Sequence, residues 1–246
     1  MENNSKPIAS HIPNLITSLN LFMGCMSIVF AFQDRLVAAS VLIFIAGIFD
    51  FFDGFTARLL NAYSEIGKSL DSLADMVSFG VAPSAILFQL LTQAIQTNHP
   101  ALNTNSWTQL LIPATAFIVA VFSALRLAKF NIDERQTSSF IGVPTPANAF
   151  LIASLPFIIY NNDKMEFLLN IYILIPTAIV LSLLLVAELP MISLKFKNFS
   201  FRDNKSKFIL LIGSVVLLAI FQIAAFPLIF VMYLIISVID NPQKAH

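Results

Sequence analysis

Residues 15–32 carry no charged side chain, and 36–60 carry only Asp50, Asp53 and Arg58, with Gln33-Asp34-Arg35 as the break between the two apolar runs. A helix of about 20 such residues crosses a bilayer with every backbone group bonded within the segment. Six more runs follow, at about 66–95, 110–127, 140–160, 167–187, 208–222 and 226–239. The fold class is therefore all-α, a polytopic membrane helix bundle of about eight transmembrane helices. The chain is 57% hydrophobic and 11% charged, against roughly 25% charged residues in soluble domains. Pro227 interrupts the last apolar stretch and separates its final two spans.

Several function classes drop out on composition. Formal net charge is zero, so no basic field points to nucleic acid, and the 24 Phe are lipid-facing and packing residues rather than base-stacking platforms. A single cysteine, Cys25, excludes an intrachain disulfide framework and a cysteine metal cluster. The polar N-terminus MENNSKPIASHIPN has neither the basic region nor the cleavage site of a signal peptide.

With the N-terminus inside and eight spans, Arg35 and Lys164 are the only two of the 14 Lys and Arg that fall outside. The positive-inside rule favours that orientation. The basic loop at 195–207 then serves as a topology signal and an attraction for anionic lipid, His99 is solvated, and Trp107 anchors at the interface.

Asp50, Asp53, Asp71 and Asp75 lie inside or at the ends of the second and third spans. One ionised aspartate at a bilayer centre costs about 2.5 to 3.5 kcal/mol or more. Asp50 and Asp53 are three apart and Asp71 and Asp75 four apart, so each pair projects from one helix face. The short connection at 61–65 makes the two helices antiparallel neighbours and brings the pairs to one membrane face, where the topology makes it the cytoplasmic one. Divalent cations convert the mutual repulsion into coordination. Oxygen ligands suit Mg²⁺ or Mn²⁺ rather than zinc. Gly54, Ala57 and Gly67 leave room beside the carboxylates, and Arg58 stands where it can meet a phosphate. A proton or cation pathway would have no use for these fixed small residues, and no inverted repeat is visible.

The run Asp50, Asp53, Gly54, Ala57, Arg58, Gly67, Asp71, Asp75 matches D-x2-D-G-x2-A-R-x8-G-x3-D-x3-D at every fixed position. It resembles the signature of the CDP-alcohol phosphatidyltransferases. The resemblance implies Asp50, Asp53 and Asp71 as chief metal ligands, with Asp75 as general base and a further metal contact, around a pair of Mg²⁺ or Mn²⁺ ions. It also implies a nucleotide and CDP-diacylglycerol site made by Asp50, Asp53, Gly54, Ala57, Arg58 and Gly67, with Gly54 and Ala57 beneath the cytidine nucleotide and Arg58 on its phosphate. It extends to PN-x2-T-x2-N, where Thr17 and Asn20 would contact the nucleotide; helix–helix hydrogen bonding is the plainer role for both.

LDSLADMVSFGVAPS (70–84), RLAKFN (126–131) and GVPTPANA (142–149) resemble the serine-using, membrane-embedded branch of the family found in bacteria and archaea. That resemblance implies CDP-diacylglycerol and L-serine as substrates, CMP as the released nucleotide, a homodimer, and a prokaryotic inner or plasma membrane. Arg126 and Lys129, one turn apart, are candidates for the serine carboxylate, with snorkelling to the interface as their alternative role. Ser78 and Asn148 are candidates for further hydrogen bonds. Gly142 to Pro146 shapes the approach to the fifth span. The domain reading is one unit, 1–246: a six-helix catalytic core over 12–190 and two additional spans over 206–240. The rival activities are transfer to glycerol 3-phosphate or inositol and, more distantly, non-enzymatic binding or transport of nucleotide-lipids or cations.

Overall fold

The computed structural model describes residues 6–62, 64–99, 101–102, 106–132, 140–192 and 204–240, with side chains from residue 11 onward except that of Phe140. The chain is a helical membrane bundle. Its helices are α1 (Lys6–Phe32), α2 (Leu36–Leu59), α3 (Glu65–Asp75), α4 (Ala82–Asn98), α5 (Ser106–Ala114), α6 (Ile118–Ile132), α7 (Thr145–Tyr160), α8 (Ile171–Val186), α9 (Lys205–Phe221) and α10 (Phe226–Ile239). Five helical stretches are long and apolar enough to cross a membrane: His11–Phe32, Leu36–Leu59, Glu65–Asn98, Ser106–Ile132 and Lys205–Ile239. α7 and α8 are shorter apolar helices beside them. The charged loop at 133–135 and most of the basic loop at 195–207 lie outside the described residues.

Two sharp reversals order the N-terminal half. After α1, Asp34 takes a left-handed conformation (φ 62°), and the N–H groups of Asp34 and Arg35 bond back to the carbonyls of Ala31 and Phe30. After α2, Asn61 does the same (φ 49°), with Asn61 and Ala62 bonding to Arg58 and Ala57. Both are helix ends of the Schellman type, at Asp and Asn, which tolerate this conformation better than most side chains. The second reversal leads into Ser64, whose hydroxyl accepts the Gly67 N–H at 3.0 Å and caps α3.

α4 is the central helix. Ala82 to Leu87 are all buried, so this stretch is enclosed on every side, as a helix apolar all round must be. Small residues let the helices approach. Ala31, Ala39 and Ala46 are fully buried between α1, α2 and their neighbours, and the Ser27 hydroxyl donates to the Ala39 carbonyl at 2.8 Å. A β-carbon on Gly24 would stand 2.8 Å from the Ser78 Cα, so α1 tolerates nothing larger there.

Several boundaries differ from those read in the sequence. Pro13 lies inside α1, which begins at Lys6 instead of at the proline. α3 and α4 form one run through a π-helical segment at Met76–Val81, immediately after Asp75. Phe140–Ile141 is not helical but forms a two-residue antiparallel ladder with Pro190–Met191 (β1 and β2), and α7 starts only at Thr145. The final stretch bends at Gln222 (φ 52°), five residues before Pro227; the proline sits in the first turn of α10, where its missing N–H costs nothing. Close approach of Gly213 to the Met232 sulfur shows that α9 and α10 fold back as a hairpin. At the far end of the bundle His99 is not simply solvated: its ring packs edge-on against Tyr172, centroids 5.4 Å apart. Trp107 is exposed, as an interfacial anchor requires.

Candidate active site

The four aspartates converge. One carboxylate oxygen from each of Asp50, Asp53 and Asp71 lies within 4.8 Å of the others, and the Asp75 carboxyl reaches that of Asp50. α2 and α3 are nevertheless not the closely packed neighbours that the short connection led us to expect. Both rest on α1, and their direct contact is slight. Four carboxylates cannot be pressed together in a medium that screens poorly, and the opening between the helices is where a ligand can enter.

That opening is a cavity of about 220 Å³ lined by Thr17, Asp53, Gly54, Ala57, Arg58, Gly67 and Asp71, together with Pro13, Asn14, Ala62, Ser64 and Lys68. The first seven were read from the sequence. The other five were not, although Ser64 was legible as a helix cap three residues before a glycine, and Lys68 as a cation one turn from Asp71. Asp50 and Asp75 are not among the lining residues, and their carboxyls meet each other beside those of Asp53 and Asp71.

The two signature glycines do different work. A β-carbon on Gly54 would meet only the Arg58 guanidinium, at 3.5 Å, so this glycine keeps the cavity open. A β-carbon on Gly67 would strike Asn14 Oδ1 and Ser64 Oγ, both at 2.9 Å, so that glycine is required by the packing of α3 on α1.

The donor set fits a hard divalent cation: clustered carboxylate oxygens with no nitrogen or sulfur ligand among them. Asp53 Oδ2 and Asp75 Oδ1 are buried and have no hydrogen-bond partner among the described residues. Buried carboxylate oxygens without donors are expensive unless something positive meets them.

Of the remaining candidates, Thr17 lies against Asp53 and donates to the Pro13 carbonyl at 3.0 Å. Asn20, one turn deeper, is fully buried, with both amide atoms unpartnered. Its backbone carbonyl accepts the Ser78 hydroxyl at 3.0 Å, so Ser78, in the π-helical segment, ties that segment to α1. Arg126 and Lys129 part company. Arg126 is 7% exposed, within electrostatic reach of Asp75, and donates to the Thr145 hydroxyl at 2.9 Å, while its Nε has no partner. Lys129 is exposed. Asn148, three residues after Thr145 on α7, is fully buried, and neither its amide oxygen nor its amide nitrogen has a partner.

Residues 10–185 match the CDP-alcohol phosphatidyltransferase family model. The chain is 36% identical over 148 residues to the CDP-diacylglycerol–serine O-phosphatidyltransferase of Bacillus subtilis, covering 60% of this chain and 76% of that protein. It is 39% identical over 142 residues to the enzyme of the same name from Helicobacter pylori, covering 57% of this chain and 54% of the relative. It is 32% identical over 155 residues to the archaetidylserine synthase of Methanothermobacter thermautotrophicus, 61% of this chain and 60% of the relative. The match with the Helicobacter and Methanothermobacter proteins thus spans only about half to three fifths of their length. With the complete signature folded around a carboxylate-lined cavity, and the family model covering well over half of its residues, the chain belongs to the CDP-alcohol phosphatidyltransferase family.

Proposed function

We propose that this chain transfers a phosphatidyl group from CDP-diacylglycerol to the hydroxyl of L-serine, releasing CMP and leaving phosphatidylserine in the bilayer. The observation that carries the reading is the carboxylate cluster with the buried, incompletely partnered Arg126 within electrostatic reach of Asp75, and the unpartnered Asn148 three residues after the threonine that holds Arg126. The names of the relatives support the same acceptor.

Asp50, Asp53 and Asp71, with Asp75 at their edge, are the residues to hold one or two Mg²⁺ or Mn²⁺ ions, which when bound would neutralise the pyrophosphate and the departing CMP. The cytidine nucleotide lies over Gly54 and Ala57, with Thr17 and Asn20 at its inner side and Arg58 on a phosphate. Gly67 keeps α3 against α1. The serine oxygen attacks the phosphorus that bears diacylglycerol, and the bond from that phosphorus to the bridging oxygen breaks. Asp75 takes the hydroxyl proton, and the bridging oxygen leaves with CMP. Arg126 holds the serine carboxylate through its guanidinium, and Asn148 offers both a donor and an acceptor to the amino acid. Ser78 acts in this reading through the π-helical segment it anchors, and Lys129 adds only surface charge. The displacement is direct. A trapped phosphatidyl-enzyme would contradict that step.

The reaction takes place at the cytoplasmic face of a prokaryotic inner or plasma membrane, the side favoured by the distribution of basic residues. A homodimer is part of the reading, and its mass in detergent checks it.

Purified protein in detergent, given CDP-diacylglycerol with serine, glycerol 3-phosphate or inositol in separate reactions, tests the acceptor. CMP release with serine alone is expected. Release with glycerol 3-phosphate or inositol instead would move the chain to a sister activity, and no release with any acceptor would favour a binder or transporter.

A further inference from the structure

The α9–α10 hairpin lies beyond the residues matched by the family model, yet α10 packs on α7 and on β2, beside the loop that leads to the buried arginine. Ile192, the residue after β2, has no strand partner in the two-residue ladder, which pairs Phe140 with Met191 and Ile141 with Pro190. Its backbone is taken up by α10 instead. The Tyr233 hydroxyl donates to the Ile192 carbonyl at 3.1 Å, and the Ile192 N–H donates to the Ser237 hydroxyl at 3.2 Å. Tyr233 and Ser237 are one helical turn apart, so the two bonds form a clamp from a single helix face. All three residues are buried, at 9%, 0% and 5% exposure for Tyr233, Ser237 and Ile192.

From the clamp a continuous set of bonds leads to the site. β2 pairs with β1, the Gly142 N–H donates to the Leu189 carbonyl at 2.9 Å, and the Val143 N–H donates to the Leu184 carbonyl at 3.0 Å. Gly142 is left-handed (φ 78°), and a β-carbon there would stand 2.4 Å from the Leu185 carbonyl oxygen, so only glycine fits where the loop passes α8. Three residues after Gly142, Thr145 opens α7 and accepts a hydrogen bond from the Arg126 guanidinium. Tyr233 is itself within electrostatic reach of Arg126. Phe226, the first residue of α10, packs its ring at a tilt against Phe44 on α2 (centroids 4.8 Å apart) and Phe150 on α7 (5.8 Å), which fixes the N-terminal end of the same helix.

We propose that α10 is a positioning element for the acceptor half of the reaction: Tyr233 and Ser237 clamp Ile192, and the clamped loop, through Thr145, holds Arg126 in the orientation that receives the acceptor. This rests on the functional reading above and adds residues to it that the family signature does not contain. Arg126 carries a charge on a long stem, and a stem held at one end only would lose more freedom on binding. The clamp's own hydrogen bonds go to Ile192 and not to α1, α2 or α3, which build the nucleotide half; α10 meets α2 at its other end, through Phe226 and Phe44.

Steady-state CMP release by Tyr233→Phe and Ser237→Ala, with serine and CDP-diacylglycerol varied separately and thermal unfolding measured alongside, tests it. Tyr233→Phe should raise the serine KM about tenfold and Ser237→Ala by a few-fold, with the CDP-diacylglycerol KM within about twofold of wild type. An unchanged serine KM in Tyr233→Phe would overturn the proposal. So would an equal deterioration of both KM values in step with lost thermal stability, which is what a merely structural clamp produces. If the wild type used another acceptor, the serine reading would fall, and the same split read for that acceptor would decide the clamp. If it released no CMP with any acceptor, both would fall.

Discussion

The two ends of the bundle treat their polar side chains in opposite ways. At the far end, Tyr160 on α7 donates its hydroxyl to the Gln93 side-chain oxygen, Gln93 on α4 donates at 2.6 Å to Asp34 in the turn after α1, and Asn98 donates at 2.6 Å to the Leu169 carbonyl. Each of these side chains finds a partner inside the protein, and His99 Nε2 is the exception at that end. At the other end, Asp53, Asp75, Asn20, Arg126 and Asn148 all bury polar atoms that have none. A folded chain leaves such atoms unsatisfied only at a cost of about 1 to 3 kcal/mol each, and clustering them in one place marks where a ligand completes the structure. The far end holds the helices together; the near end is held open by them.

That contrast predicts a separation of activity from stability. The largest effect belongs to the carboxylates: Asp71→Asn or Asp75→Asn should lower CMP release by about 10³-fold or more, measured at saturating substrates, while thermal stability stays level or rises because repulsion is relieved. Arg126→Met should raise the serine KM by about one to two orders of magnitude, the worth of a charge-assisted pair, whereas exposed Lys129→Ala should change it by less than about threefold. The glycines sharpen the comparison within the site. Gly67→Ala should lose stability by about 1 kcal/mol or more through the Ser64 cap and the Asn14 contact, but Gly54→Ala should keep stability and impair CDP-diacylglycerol binding. The smallest effect on activity comes from the far end, where Gln93→Ala should destabilise by about 1 kcal/mol and leave CMP release within about twofold. A Gln93 variant that lost activity without losing stability would break the contrast.

The membrane bundle and the aspartate pairs were legible because each rests on a local periodicity: apolar runs of bilayer length, and i, i+3 or i, i+4 spacing on a helix. What escaped was decided by contacts distant in sequence. The π-helical segment after Asp75 follows from packing around Ser78 and Gly24, and no spacing rule announces it. Arg126 and Lys129 look equivalent one turn apart, and only the neighbours of α6 bury one and expose the other. Pro227 was the visible breaker in the last apolar stretch, but proline is comfortable in a first helical turn, so the bend fell at Gln222. The strands at Phe140–Ile141 and Pro190–Met191 are too short to show any alternation, and neither would pair without the other.

The central claim is that the clustered carboxylates serve metal-assisted transfer to serine. The most direct measurement is CMP release from CDP-diacylglycerol and serine by the purified chain, titrated with Mn²⁺ and with Mg²⁺ after chelation, beside Asp71→Asn. Release that is absent in chelator, restored by either ion in the wild type and not restored in the variant is the predicted result. Full activity in chelator, or an Asp71→Asn variant that responds to metal as the wild type does, would contradict it.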